Sequence, residues 1–458
     1  MQRMSPVAVA LAFALAAAPA RSDTTPGPSP RLAVPALAAP APAMTDAQLV
    51  AAVHALVDSL TAAGEFSGVV LLAHGDRTLV REARGLADRE RGLRNQPNTV
   101  FNLGSINKKL TEVAIRQLAA QGRLAFTDTI ARYLPDYPAD KGRRITIQQL
   151  LDHRAGTGDI FNDRFRATDP ARLRTLADWM DLIRDQPLEF EPGTRQAYSN
   201  AGYVLLGAIV ERVTGESYFD YVQAHVYAPA GMAASGSFAR DEASPNRAIG
   251  YTRRDAPGGA LQPNTVGLPG RGSSAGGGYS TVDDLRRLVA ALRAGRLGIA
   301  PDSSDFLIAG GSPGVNAALG AVGGYTLVVL ANLDPPAAVG LASRLEHWLP
   351  RRGGGGARVE VGGEGDRRGR PGITLVPPGG TSVAMDTSHP LPTLMVMVNG
   401  QGPFRFGLDT GGAGSARVDS ALAARLGLRT VGAVRAGDPS GRGLVTLPLV
   451  AVDSIRVG

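Results

Sequence analysis

Hydrophobic and polar positions alternate with two periods along this chain, and the switches between them mark its elements. Residues 45–63 carry the helical period, with Thr45 or Asp46 as the N-cap. Residues 67–73 and 78–85 read as strands joined at His74-Gly75-Asp76, a hairpin signal. Leu110, Val113, Ala114 and Leu118 lie on one face of a helix that follows Ser105. From 105 to 300 helices alternate with Gly/Pro loops, ending in a helix at 281–293. Residues 316–320 and 325–332 are again strand-like, and 336–349 is a helix with Leu341, Leu345 and Trp348 on one side. The economical arrangement is an antiparallel sheet built from both ends of this stretch. Helices cover its faces, a helical region is inserted between, and a cleft separates the two parts.

The pattern breaks at 350–372, where nine glycines and six arginines read as a flexible linker. Residues 373–458 are strand-rich, with apolar runs at 394–398 and 404–408 around the hairpin signal Asn399-Gly400. A helix at 419–426 stops at Gly427. At the other end, Arg3, an apolar stretch from Val7 to Ala18 and Ala18-Pro19-Ala20 read as a secretory signal over 1–20. Six prolines among residues 22–43 suggest an extended tether over 21–44.

The candidate chemistry is concentrated in two short motifs. Ser105-Ile106-Asn107-Lys108 puts a serine and a lysine three residues apart, on one face of a helix start. The helix dipole there disfavours a cation and favours an oxyanion, which suits a lysine base and a serine nucleophile. The chain holds 48 Lys and Arg residues, and only Lys108, Lys109 and Lys141 are lysines. Arginine cannot give up its proton, so a lysine kept at this spacing is informative. Tyr198-Ser199-Asn200 supplies a second proton carrier. Each motif alone is a weak signal, and their order along the chain strengthens them.

Together with Leu150-Leu151-Asp152-His153-Arg154-Ala155-Gly156, Glu191-Pro192-Gly193, Ser274-Ala275-Gly276-Gly277-Gly278 and the strand at 325–332, these motifs resemble the serine β-lactamase and penicillin-binding superfamily. The similarity spans 45–349 and is nearest to the class C β-lactamase-like branch, with its esterases and D-alanyl-D-alanine peptidases. It implies an α/β fold of the α+β kind. It also implies Ser105 as acylated nucleophile, Lys108 and Tyr198 as proton carriers, and Asn200 as a substrate-orienting residue. The oxyanion donors would be the Ser105 N–H and a glycine N–H on the edge strand. There the family carries His or Lys, any residue, then Gly. The matching stretch is Ile308-Ala309-Gly310-Gly311, so Gly310 and Gly311 are kept as substrate-binding candidates while Ile308 replaces the cation or imidazole. The short segment between Leu297 and Ile308 suggests that a strand is missing.

The C-terminal segment resembles the N-terminal half of a retropepsin-like aspartyl protease, through residues 399–406 followed by Asp409-Thr410-Gly411. That resemblance makes Asp409 a candidate second site and implies a homodimer through this segment, because such carboxylates work in pairs. No second motif of this kind follows.

Composition narrows the classes. The net charge of +7 comes from scattered arginines, with no basic stripe for nucleic acid. There are no cysteines, which excludes disulfides, a cysteine lipid anchor and thiol catalysis. The six dispersed histidines show no metal-ligand spacing, so no metal and no cofactor are expected, and His153 reads as structural. The expectation is an exported serine hydrolase, periplasmic or secreted, that acts through an acyl-enzyme on an ester, a β-lactam or a D-alanyl peptide, the last peptidoglycan-derived. The alternatives are a pseudoenzyme that binds cell-wall or peptide ligands and, for the C-terminal segment, an aspartyl peptidase.

Overall fold

The computed structural model describes residues 44–349 except 243–245 and 255–258; outside that stretch it describes Leu11–Ala12 and short elements between Val359 and Val457. The chain divides into two compact units, 43–364 and a second made of 1–42 with 365–458.

The first unit opens with helix α1 (Asp46–Ala62). Thr45 caps it, its side chain meeting Gln48 N–H while the Gln48 side chain returns to Thr45. Strands β1 (Gly68–His74) and β2 (Arg77–Arg84) form the hairpin. Helices α2 (Asn107–Ala120), α3 (Asn200–Thr214) and α4 (Val282–Arg293) are the main helices of the inserted region. The chain then returns as β3 (Phe306–Ser312), β4 (Val315–Val322), β5 (Tyr325–Ala331) and helix α5 (Val339–Trp348).

These strands form one sheet in the order β3-β4-β5-β1-β2, with Val359–Glu360 outside β3. The five long strands pair antiparallel, and β1 meets β5 from Gly68 opposite Ala331 to His74 opposite Tyr325. Every residue of β4 and β5 is buried, as their nearly unbroken apolar runs require of central strands covered on both faces. One face packs Val70, Leu72, Leu307 and Val329 against Leu49, Val53 and Val57 of α1 and Leu341 and Leu345 of α5. The other packs Val69, Leu71, Leu319 and Val328 into the core that includes α2, α3 and α4. Each fully buried Val or Leu contributes roughly 1.5–3 kcal/mol relative to an exposed one.

Three differences from the sequence reading stand out in this unit. Strand β4 is longer than residues 316–320, because Val315, Ala321 and Val322 are also buried. Helix α5 begins at Val339 rather than 336. Its first N–H groups are received by Asn316 Oδ1 of β4, from Ala338 at 2.6 Å and Val339 at 2.9 Å. Within the expected linker, Val359–Glu360 pairs in parallel with Leu307–Ile308. An uncovered edge strand offers unpaired backbone groups, and this short stretch meets some of them. Residues 297–305 form no strand.

In the second unit, β6 (Thr393–Val398) and β7 (Gln401–Gly407) form an antiparallel hairpin and are followed by helix α6 (Ser420–Arg425). Strand β8 (Thr430–Ala436) pairs with β9 (Val445–Ala451), and β10 (Ile455–Val457) pairs with β6. Leu11–Ala12 lies parallel to Val450–Ala451. The rest of the expected signal and tether, and Asp409 itself, lie outside the described residues.

Candidate active site

The site is assembled around the start of α2. A single 3-10 turn, Gly104–Ile106, leads into the helix, so Ser105 sits just before it and Lys108 lies inside its first turn. Ser105 keeps part of its surface exposed, whereas Lys108 is only 7 % exposed. The Nζ of Lys108 lies 3.1 Å from Ser105 Oγ. It also meets two fixed acceptors at 2.6 Å, Asn200 Oδ1 and the Ala275 carbonyl. A neutral amine has two N–H bonds and one lone pair. The two carbonyl oxygens can take both N–H bonds, which turns the lone pair toward Ser105.

The second motif enters at the start of α3. Ser199 is its N-cap, accepting from Gly202 N–H, and Asn200 is the first helical residue. Tyr198, the residue before the cap, lies outside the helix with its hydroxyl 2.7 Å from Ser105 Oγ. Its ring is backed by His153, centroids 4.6 Å apart, and Lys108 Nζ lies 4.7 Å from the Tyr198 centroid. His153 adopts φ +56°, and its Nδ1 accepts the Ser199 N–H at 3.1 Å. It therefore holds the Tyr-Ser-Asn segment from behind, the structural part its sequence context suggested.

Strand β3 forms the opposite wall. Ile308 and Gly310 face the same side of the sheet, two residues apart. A Cβ on Gly310 would collide with the Leu103 carbonyl and come within 2.7 Å of Ser105 N. Gly104, at φ +51°, has Gly311 N 2.8 Å from where its own Cβ would stand. Only glycines allow the two backbones to approach this closely, and the approach sets Gly311 N beside the Ser105 turn. Asn316 Nδ2 donates to the Gly310 carbonyl at 3.0 Å and pins the strand. Ile308 packs against the core shared with α2.

Electrostatics separate the two proton carriers. Burial lowers Lys108 to about 7, with the Asp159 carboxylate pulling the other way. Burial pushes the Tyr198 phenol well above its ordinary range, so it stays protonated near neutrality. Burial and then the Lys108 charge lower His153 to about 4, so it is neutral. Near pH 7 the site thus offers a base at Lys108 and an acid at Tyr198, both within reach of one serine hydroxyl.

Ser105, Lys108, Tyr198, Asn200, Gly310 and Gly311 are therefore brought together, with Ile308 on the same wall as the glycines. Two participants escaped the sequence reading: the Ala275 carbonyl and Asp159, whose carboxylate accepts from Asn200 Nδ2 at 2.9 and 3.1 Å. Asp159 follows Gly156-Thr157-Gly158, directly after a motif that had been noticed, and that adjacency was the available signal. Among the described residues no cluster of His, Cys, Asp and Glu could hold a metal.

The comparisons with known proteins place the chain in a family. The family profile described as Beta-lactamase matches residues 53–413. The chain belongs to that family. It thereby falls in the β-lactamase and penicillin-binding superfamily. Esterase EstB of Burkholderia gladioli is 33% identical over 330 residues, covering 64% of this chain and 82% of that protein. Penicillin-binding protein 4* of Bacillus subtilis is 33% identical over 179 residues, covering 39% of each chain. The match thus spans about two fifths of that penicillin-binding relative. Among solved structures, a penicillin binding protein from Bacillus halodurans superposes with a TM-score of 0.58 at 28% identity, covering 64% of this chain and all of that one. The family match runs past the linker to residue 413, four residues beyond Asp409.

Proposed function

We propose that this family member is an exported esterase that works through a Ser105 acyl-enzyme. The observation that carries the reading is the meeting of Tyr198 OH and Lys108 Nζ on Ser105 Oγ, at 2.7 and 3.1 Å, with Lys108 lowered to about 7. In acylation, Ser105 Oγ attacks the ester carbonyl while its proton passes to the Lys108 lone pair. The tetrahedral oxyanion is received by the N–H groups of Ser105 and Gly311, each such donor being worth about 3 kcal/mol. The intermediate collapses as the alkoxide leaves with a proton from Tyr198, and the proton taken up by Lys108 passes to Tyr198, so that both groups are as they began. Water then attacks the acyl-enzyme, giving a proton to the same base, and the acid departs with Ser105 restored.

An ester is favoured over a β-lactam or D-alanyl peptide because of the strand wall. Those two substrates end in a carboxylate, and Ile308 stands where the family's cation or imidazole would receive it. The length shared with Esterase EstB supports the same choice. Export rests on the signal-like residues 1–20. In the test, the purified chain is treated with a fluorophosphonate and the modified peptide is mapped, and p-nitrophenyl butyrate turnover is measured beside it. Adduct at Ser105 and turnover lost in Ser105→Ala are expected. Folded protein with neither would be the binding-only pseudoenzyme.

For the second unit we propose a half retropepsin-like fold paired with another copy of the chain. The β6–β7 hairpin directly ahead of Asp409 supports this. Dimerisation lost on removal of 373–458, in sedimentation, is the expected outcome; an unchanged monomer would end that reading.

A further inference from the structure

Beneath the two side chains that reach Ser105 lies a carboxylate that reaches none of the reacting atoms. Asp159 sits in the loop after His153. Both its oxygens face Asn200 Nδ2, at 3.1 and 2.9 Å, and one also accepts the Phe161 N–H at 3.3 Å. Asn200 in turn presents Oδ1 to Lys108 Nζ at 2.6 Å. The three side chains form a line, carboxylate to amide to amine, that ends at the nucleophile.

The direction of this line follows from donor chemistry. A carboxylate only accepts, so it selects the NH₂ end of the Asn200 amide. The oxygen end is then compelled to face Lys108. Were the amide reversed, NH₂ would oppose the N–H bonds of Lys108, and one of the two acceptors that aim its lone pair would be gone. Helix geometry does not enforce the orientation, because an amide can rotate in place on the first residue of α3.

We propose that Asp159 is a positioning residue for Lys108: by holding the Asn200 amide in one orientation, it aims the lysine at Ser105. The inference rests on the serine-hydrolase reading of the site. The titratable groups that face Lys108 are Asp159, His153 and Tyr198, with the Tyr203 ring 5.5 Å away. Among these Asp159 is the anion, and it favours the charged amine. Its removal and a reversed amide both disfavour the cation, so both shift Lys108 titration toward lower pH.

The test is Asp159→Asn in the full chain, an isosteric change that lets residue 159 donate to Asn200 Oδ1 and releases the amide. On p-nitrophenyl butyrate, kcat should fall roughly 10–100-fold, the scale of a displaced catalytic group, with KM within about twofold. The chain has three lysines, so lysine labelled with ¹³C at Cε gives a readable titration of Lys108 without any turnover. Its midpoint should move to lower pH in the variant. A kcat within about twofold of wild type, or an unmoved midpoint, overturns the proposal. So does a KM that rises only for an ester bearing an ammonium group, which would make Asp159 a substrate contact. Asp159→Ser is read the same way if the amide variant does not fold. An inactive wild type would overturn the function reading alone, because the labelled lysine still reports the relay.

Discussion

The two walls beside Ser105 offer a substrate different things. The helical wall, from α2 and the start of α3, brings an amine and a phenol to one hydroxyl, with an amide supporting the amine. The strand wall, β3, brings backbone and an aliphatic side chain. The first wall holds what bond making and proton transfer require, and the second holds what positions a carbonyl. What the second lacks is charge. The comparison teaches that, on the proposed function, proton transfer at Ser105 is separable from recognition of an anionic substrate, because the groups for each reside on different elements.

The sharpest way to break the comparison is on the helical wall. Lys108→Arg keeps the charge and removes the base, and should lower kcat roughly 10³–10⁴-fold. In the wild type, turnover should rise with pH through about 7, because the neutral amine is the active form. A pH–rate profile of both proteins checks this, and near-normal turnover by the arginine variant would show that only charge matters there. Tyr198→Phe should cost roughly 10²–10³-fold with an alkyl ester. The loss should be smaller with a nitrophenyl ester, whose leaving group departs without a proton. Equal losses on both would take the acid role away from Tyr198.

The strand wall predicts smaller effects. Gly310→Ala places a methyl group against Leu103 and Ser105, so the walls must separate. We expect about 1–3 kcal/mol of lost stability by denaturant titration and a drop in kcat at least as large as tenfold. Ile308→His should leave turnover of neutral esters unchanged and raise kcat/KM for an ester bearing a carboxylate by about tenfold. A gain on neither, with circular dichroism intact, would mean that residue 308 does not face the substrate.

Much of the helical wall was readable because it is local. A serine and a lysine three residues apart need only a helix to meet, and Thr45 with Gln48 announces the start of α1 within four residues. What was not readable depends on partners far along the chain. Asp159 looks like any loop acid until the start of α3 packs over it. Helix α5 starts three residues late because its cap is Asn316, on a strand more than twenty residues earlier. Val359–Glu360 has a linker's composition and becomes a strand only because β3 presents a free edge. The glycines at 310 and 311 were noticed by motif, but their reason, contact with the Ser105 turn, is visible only in three dimensions.

The pairing of β1 with β5 has a consequence for how the molecule is made. His74 and Tyr325 are partners in the sheet, yet 251 residues separate them in the chain. During synthesis the β1–β2 hairpin leaves the ribosome long before its neighbour exists, with Val69 to Leu72 still wanting cover on both sides. The sheet cannot close until Ala331 has emerged, and contacts this distant form slowly. Through most of its translation the chain therefore cannot complete the sheet that stands beside Ser105.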